Sequence, residues 1–288
     1  MSIRDSFLCL SSRLRYAPIK IKELVMGGGG YLSKSTPFNF CIEDNAGDSF
    51  NFDFIKEKFN RNIKKYTFGN KDHYLFCGSI LQRCNEHSIV IGAGLISGSD
   101  VPKLRYKRIV GVRGNLTLEV LKKQGYECAP QFLGDPGLLA REVVSPKESD
   151  QDNERIGVIP HFIEHNLAKN LVLNHPEFIL IDIKKPFKNV CNEIKKCRFV
   201  LSSSLHGLIF SDAMNVPNKW VSFGKSLKGG EFKFFDYYSC TDNINPMSIS
   251  CQSISDLLLA VEMCKVANSP NYQFMKDSVF EILRSEFS

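Results

Sequence analysis

The sequence predicts an α/β protein made of two Rossmann-like halves facing each other across a cleft. Three observations predict it. Short β-rich apolar runs alternate with stretches of helical apolar spacing. Several of those runs end in small-residue turns, such as Gly78-Ser79 and Gly92-Ala93-Gly94. A polar segment with a proline, Val143 to Glu154, then interrupts the series, and the pattern restarts beyond it. The two halves are therefore read as 1–145 and 146–288.

In order, Phe38 to Ile42 is strand-like and runs into Asn45-Ala46-Gly47-Asp48 ahead of a candidate helix. Tyr74 to Cys77, Ser88 to Ile91 and Arg108 to Val112 are short apolar runs that read as buried strands. Leu116, Val120 and Leu121 give Gly114 to Gln124 helical spacing. Gln131 to Leu133 leads into the turn Gly134-Asp135-Pro136-Gly137. In the second half, strands are expected at Arg155 to Pro160, Phe178 to Asp182, Phe199 to Leu201 and Trp220 to Phe223. The intervening helices are expected at His165 to Asn174, Pro186 to Cys197 and His206 to Met214. Ile254 to Val266 and Tyr272 to Phe287 read as closing helices, and Lys225 to Tyr238 as a glycine-containing loop.

Composition narrows the class. The chain has 288 residues, 43% apolar and 24% charged, enough to bury one large core or two ordinary ones, which excludes disordered and fibrous proteins. The longest apolar stretches, Ser88 to Ile96 and Phe199 to Phe210, are broken well before the roughly 18 to 20 residues that cross a bilayer. Arg4, Arg13 and Arg15 are followed by no continuous apolar region or small-residue cleavage site, so no secretion signal is read and a cytoplasmic location is expected. The ten cysteines are scattered from Cys9 to Cys264 without a CxxC pair or a metal-ligand spacing with histidine. They read as reduced thiols, and no metal site is expected. A net charge of +6 is dispersed along the chain, which suits anionic small molecules or an anionic membrane surface. It lacks the basic stripe, helix-turn-helix or RNP pattern of a nucleic-acid binder.

In open α/β sheets ligands collect at the carboxyl ends of strands, so the turns there carry the candidate chemistry. Ser202-Ser203-Ser204-Leu205-His206-Gly207 joins an apolar strand to an apolar helix. Hydroxyls, free N–H groups and the positive helix end suit phosphate or carboxylate, and His206 can donate a proton beside the bound anion. The same serines read equally well as a helix cap, with His206 a packed histidine. Arg113 ends another strand, where its planar fork can hold a carboxylate or phosphate bidentately, or pair with an acid. Asn45 to Asp48 reads either as a turn bringing backbone to a ligand or as a plain Asx turn. His161, in Ile159-Pro160-His161-Phe162, ends the first strand of the second half and either binds or packs. Gly27 to Gly30 has neither P-loop nor dinucleotide spacing and reads as a flexible loop. Lys225 to Tyr238 offers aromatics and Asp236 for a sugar and lysines for an anion, or else is a solvated basic loop. Met1 to Lys22 mixes basic and apolar residues and reads as a packed helix or a membrane-surface contact.

Taken together and in order, NAGD, GAGL, GVRGNLT, LGDPGLL, IPHF, SSSLHGLIFSDAMNVP and GGEFKFFDYY resemble the polysaccharide pyruvyl transferase family over roughly Phe38 to Tyr238. The resemblance implies a GT-B-like fold. It implies transfer of pyruvate from phosphoenolpyruvate to two hydroxyls of a hexose in a cell-surface polysaccharide or its lipid-linked precursor, forming a cyclic ketal and releasing phosphate. It places a donor-side histidine on His206 and a donor-binding arginine on Arg113. Where many members carry arginine before the Leu-His pair, this chain has Ser204, leaving that charge to Lys225 or Lys233 or to no residue.

The expected donor residues are thus Arg113, Ser202, Ser203, Ser204, Leu205, Lys225 and Lys233. The expected acceptor residues are Asn45, Gly94, His161, Phe234 and Tyr237. Protonating C3 of an enol phosphate needs an acid, for which His206 is suited, and a base must take the sugar's protons. Asp48, Asp135 and Asp236 are the candidate bases. The scheme needs no metal or cofactor beyond the co-substrate phosphoenolpyruvate. The expected partners are a sugar acceptor, including an undecaprenyl-linked oligosaccharide, and peripheral contact at the inner face of a membrane, with no nucleic acid. Other readings of the same features are a GT-B nucleotide-sugar glycosyltransferase and a non-catalytic glycan- or membrane-surface-binding protein.

Overall fold

Two parallel sheets organise the chain. The computed structural model describes residues 35–40, 45–66, 70–99, 101, 103–127, 129–148, 154–224, 227 and 229–288. The Gly27 to Gly30 and Met1 to Lys22 segments therefore lie outside the described residues. Residues Ser35–Ser288 cluster as one compact unit that holds both sheets.

The first sheet has six strands in the order β2-β1-β3-β4-β5-β6. They are β1 (Thr36–Asn39), β2 (Ile63–Lys65), β3 (His73–Leu75), β4 (Ser88–Ile91), β5 (Arg108–Val112) and β6 (Phe132–Leu133). The second has the order β11-β10-β9-β7-β8, from β7 (Ile156–Ile159), β8 (Phe178–Leu180), β9 (Phe199–Ser202), β10 (Asn218–Ser222) and β11 (Ile249–Ser250). Every strand pair is parallel. The sequence explains this arrangement: Ser88-Ile-Val-Ile91 and Ile156-Gly-Val-Ile159 are buried at every position, as strands covered on both faces must be. The alternating α/β pattern read from the sequence is the observed one. The strands it did not show, β2, β6 and β11, are only three, two and two residues long.

Among the described residues eight α-helices cover the sheets: α1 (Ala46–Phe59), α2 (Asn115–Lys123), α3 (His165–Val172), α4 (Phe187–Ile194), α5 (Leu205–Ala213), α6 (Phe232–Tyr238), α7 (Ile254–Glu262) and α8 (Tyr272–Phe287). The segment read as a loop from Lys225 to Tyr238 is corrected by α6, which occupies its second half. Its Phe-Lys-Phe-Phe-Asp-Tyr-Tyr sequence has no polar face because five of its seven side chains are buried.

Aromatic packing joins the two sheets. Phe50 on α1 meets Phe187 on α4 at 5.3 Å edge-on and Phe210 on α5 at 6.0 Å. Hydrogen bonds at the start of α1 fix the same junction. Ala46 N donates to the Ile183 carbonyl at 2.8 Å, and Phe187 N donates to Ser49 Oγ at 2.9 Å. The last helix returns to the first sheet, where Glu286 accepts from Tyr74 Oη at 2.7 Å and pairs with Arg108 at 2.6 Å. No helix among the described residues is long and apolar enough to cross a membrane.

Candidate active site

Because both sheets are parallel, each delivers its following loops at one end, and at those ends the polar residues gather. Arg113 follows β5 and is fully buried. Its Nε donates to Asp236 Oδ2 at 2.8 Å, its Nη1 to Ser79 Oγ at 2.6 Å and its Nη2 to the Leu95 carbonyl at 2.5 Å. Asp236 sits on α6 and also accepts from Thr117 N and Thr117 Oγ1, both at 2.7 Å. The Arg113–Asp236 pair therefore clamps α6 onto the start of α2. Gly94 is part of the same fit, since a Cβ there would lie 2.4 Å from Arg113 Cζ. Three of the five guanidinium N–H groups are committed, and two have no partner among the described residues.

His206 lies in the first turn of α5, whose N-cap is Ser204. Two of the three serines there are occupied internally. Ser202 Oγ donates to the Ile159 carbonyl at 2.8 Å and accepts from Ser204 N at 3.0 Å, while Ser203 Oγ accepts from His161 N at 2.8 Å. Ser204, the N-cap, makes no side-chain cap bond. The His206 ring lies directly over the start of α1, where a Cβ on Gly47 would come within 2.1 Å of its Cε1 and Nδ1. On its other nitrogen, Nε2 stands 3.4 Å from Cys77 Sγ, which is 3.6 Å from Asp135 Oδ1.

Electrostatics identify what gathers here. Burial, then the charges of Lys233 and Arg113, push the His206 imidazole down to about 3. Lys233, buried on α6, is lowered to about 8 by burial and by Arg113, with Glu164 acting in the opposite direction. His161 falls to about 4 through burial and Lys233. Two cations and two imidazoles thus feel one another, and Arg113's acid is already engaged in the clamp. Such a set lowers its own energy by taking an anion.

A family model for polysaccharide pyruvyl transferases matches residues 6–222. The chain belongs to that family. Its members are transferases acting on polysaccharide, which fits the sugar-directed expectation from the motifs. An uncharacterised protein of Acanthamoeba polyphaga mimivirus is 30% identical over 215 residues, covering 72% of this chain and 74% of that protein. A solved structure of a functionally uncharacterised protein from Klebsiella pneumoniae is 13% identical with a TM-score of 0.42, covering 83% of this chain and 99% of that one.

In this member of the family the structure brings together Arg113, His206, Lys233, His161, Ser202, Ser203, Ser204 and Leu205. Gly94 lies against Arg113. Asn45 caps α1 by accepting from Asp48 N at 3.1 Å, so Asn45 and Asp48 lie beside Gly47 and the His206 ring. Lys225 lies outside the described residues. Phe234 and Tyr237 are not brought to the cluster. Phe234 stacks on Trp220 at 4.3 Å in the core, and Tyr237 donates its hydroxyl to buried Asp212 at 2.7 Å. Asp236 is wholly buried and accepts three hydrogen bonds, so it anchors Arg113. Sequence reasoning missed Cys77, Ser79 and Thr117. Cys77-Gly78-Ser79 follows a strand as Arg113 does, and that shared position was the available signal.

Proposed function

We propose that the protein is a ketal pyruvyl transferase that moves pyruvate from phosphoenolpyruvate to two hydroxyls of a hexose in a cell-surface polysaccharide or its lipid-linked precursor. The observation that carries the reading is the convergence of Arg113, Lys233 and His206 at the start of α5 in a chain of this family. Phosphoenolpyruvate carries a phosphate and a carboxylate. The Lys233 ammonium, the Ser204 hydroxyl and the first N–H groups of α5 suit those charges, and the buried Arg113 guanidinium adds its positive field from behind them. Lys233 supplies the charge that Ser204 lacks. A GT-B-like placing of the two sheets around the donor belongs to the same proposal.

The chemistry follows from the donor. His206 protonates C3, the methylene becomes a methyl group, and C2 gains cation character that a sugar hydroxyl attacks. Cleavage of the C2–O bond releases phosphate, and a second hydroxyl closes the ketal. The two hydroxyl protons end on the C3 methyl group, through His206, and on phosphate, so the step balances. His206 is neutral without the donor, because its imidazole lies near 3. Burial is the larger cause of that depression and stays; the donor's negative charges counter the smaller part due to Lys233 and Arg113, so binding raises its proton affinity where the acid is needed. Asp48 serves as the base. It is half-buried in the first turn of α1 beside the His206 ring, whereas Asp135 and Asp236 are closed off from solvent. The acceptor lies along Asn45, Asp48 and His161, and a lipid-linked acceptor brings the protein to the inner face of the membrane.

The test is transfer itself. Wild-type protein with phosphoenolpyruvate and a panel of hexose-containing glycans should release phosphate and leave a ketal methyl signal on the glycan. His206→Ala should lower the rate by about 10² to 10⁴-fold while binding of the donor survives. Phosphate release at an undiminished rate in that variant rejects the acid role. Transfer from a nucleotide sugar in place of phosphoenolpyruvate rejects the proposal.

A further inference from the structure

Behind the His206 ring the fold sets two side chains that the transfer chemistry does not use, Cys77 and Asp135, against the far nitrogen of the imidazole. Cys77 follows β3, Asp135 follows β6, and His206 opens α5, so the three come from distant points of the sequence and from both sheets. One ligand atom from each lies within 4.8 Å of the other two. The Cys77 Sγ–His206 Nε2 separation is 3.4 Å and the Cys77 Sγ–Asp135 Oδ1 separation 3.6 Å. Ligands about 2.3 Å (sulfur) and about 2.0 to 2.2 Å (nitrogen and oxygen) from a tetrahedral zinc ion stand about 3.5 Å apart, so the two edges from Cys77 Sγ match that polyhedron and the Asp135–His206 edge lies within 4.8 Å.

A second observation points to a ligand. Asp135 Oδ1 accepts from Gly137 N at 2.8 Å, but Oδ2 is closed off from solvent with no hydrogen-bond partner among the described residues. An orphaned carboxylate oxygen in a buried place is costly, and a cation beside it removes the cost. Cys77 and Asp135 are each 1% exposed, whereas His206 is half-buried, so an ion enters past the imidazole.

We propose that Cys77, Asp135 and His206 form a site for a thiophilic divalent cation of the zinc type. Binding releases the Cys77 proton to solvent. The thiolate and the carboxylate cancel the two charges of the ion, and the neutral His206 Nε2 supplies the third bond, leaving a fourth position open. The three sequence positions share no short spacing, so the absence of a metal motif in the sequence does not bear on the site. The bound ion has a consequence that rests on the proposed function: it takes the Nε2 lone pair, holds the ring against protonation and so inhibits transfer.

Cobalt and zinc titrations test this without donor or acceptor. Chelator-treated wild-type protein should take up one equivalent of Co²⁺ with a thiolate-to-cobalt charge-transfer band, and Zn²⁺ should displace it. Cys77→Ser should abolish the band. Asp135→Asn should weaken Zn²⁺ binding beyond the roughly 10 to 100-fold lost when only a hydrogen-bond partner of a ligand is removed. If either buried variant melts with the fold lost, His206→Ala carries the same test from a half-exposed position. No stoichiometric uptake, or uptake that persists in these variants without a thiolate band, overturns the site. Chelator-reversible inhibition of phosphate release over the concentrations that fill the site supports the inhibitory role, and full activity with the ion bound overturns that role alone.

Discussion

Replacing Arg113 with alanine probes the clamp on which the donor site is built. Both Arg113 and Asp236 are completely buried. Removing the guanidinium takes away the 2.8 Å charged hydrogen bond and leaves the Asp236 carboxylate with only the two Thr117 donors. Breaking a buried ion pair from one side costs about 3 to 5 kcal/mol, because the surviving charge stays dehydrated. For a protein of this size each kcal/mol moves the midpoint by about 2 to 4 °C, so Arg113→Ala should lower it by about 6 to 20 °C. The double variant Arg113→Met with Asp236→Asn replaces both charges and keeps an acceptor for Thr117, so it should recover most of that loss. Thermal and urea unfolding followed by circular dichroism, run as a double-mutant cycle with Arg113→Met and Asp236→Asn as the single variants, give the coupling directly. A single variant within about 1 kcal/mol of wild type, or a double variant as unstable as the sum of the singles, refutes the clamp.

Three further outcomes follow from the geometry. Gly47→Ala puts a Cβ 2.1 Å from the His206 ring, which must retreat by about 1.4 Å to reach ordinary contact. Turnover should fall by about 10²-fold while phosphoenolpyruvate still binds by calorimetry, and unchanged turnover would remove His206 from the chemistry. Lys233 loses its charge as pH rises through about 8, so donor affinity should weaken above that pH, and Lys233→Gln should bind weakly with that dependence gone. Burial raises the Asp212 carboxyl to about 7 against the Ala267, Tyr237 and Asn218 hydrogen bonds. Its folded value lies above its ordinary 3.8, so this contribution is complete below about 3.8 and is lost as pH rises to about 7. Asp212→Asn should flatten that limb of the stability profile measured by urea unfolding.

The parallel sheets and the strand-end positions of Arg113, His161 and the serines were legible because apolar runs and small-residue turns are local signals. α6 was not legible. Gly229 and Gly230 precede it, and its aromatic run lacks a polar face because it is wedged between other elements, so it read as a loop. That misreading had consequences for the site. As a loop, Phe234 and Tyr237 suit a sugar, whereas on a buried helix they point to Trp220 and Asp212, and Lys233 and Asp236 reach the cluster instead. The orphaned Asp135 oxygen and its proximity to Cys77 depend on long-range packing that no spacing in the sequence encodes.

The central claim is that the cationic cluster at the start of α5 is a phosphoenolpyruvate site, and a thermal-shift measurement with purified protein tests it most directly. Phosphoenolpyruvate at about 100 times its Kd should stabilise the fold by about 2.7 kcal/mol, and the rise should shrink sharply in Lys233→Gln. A rise that nucleotide sugars produce and phosphoenolpyruvate does not, or one that inorganic phosphate matches in full, contradicts the account.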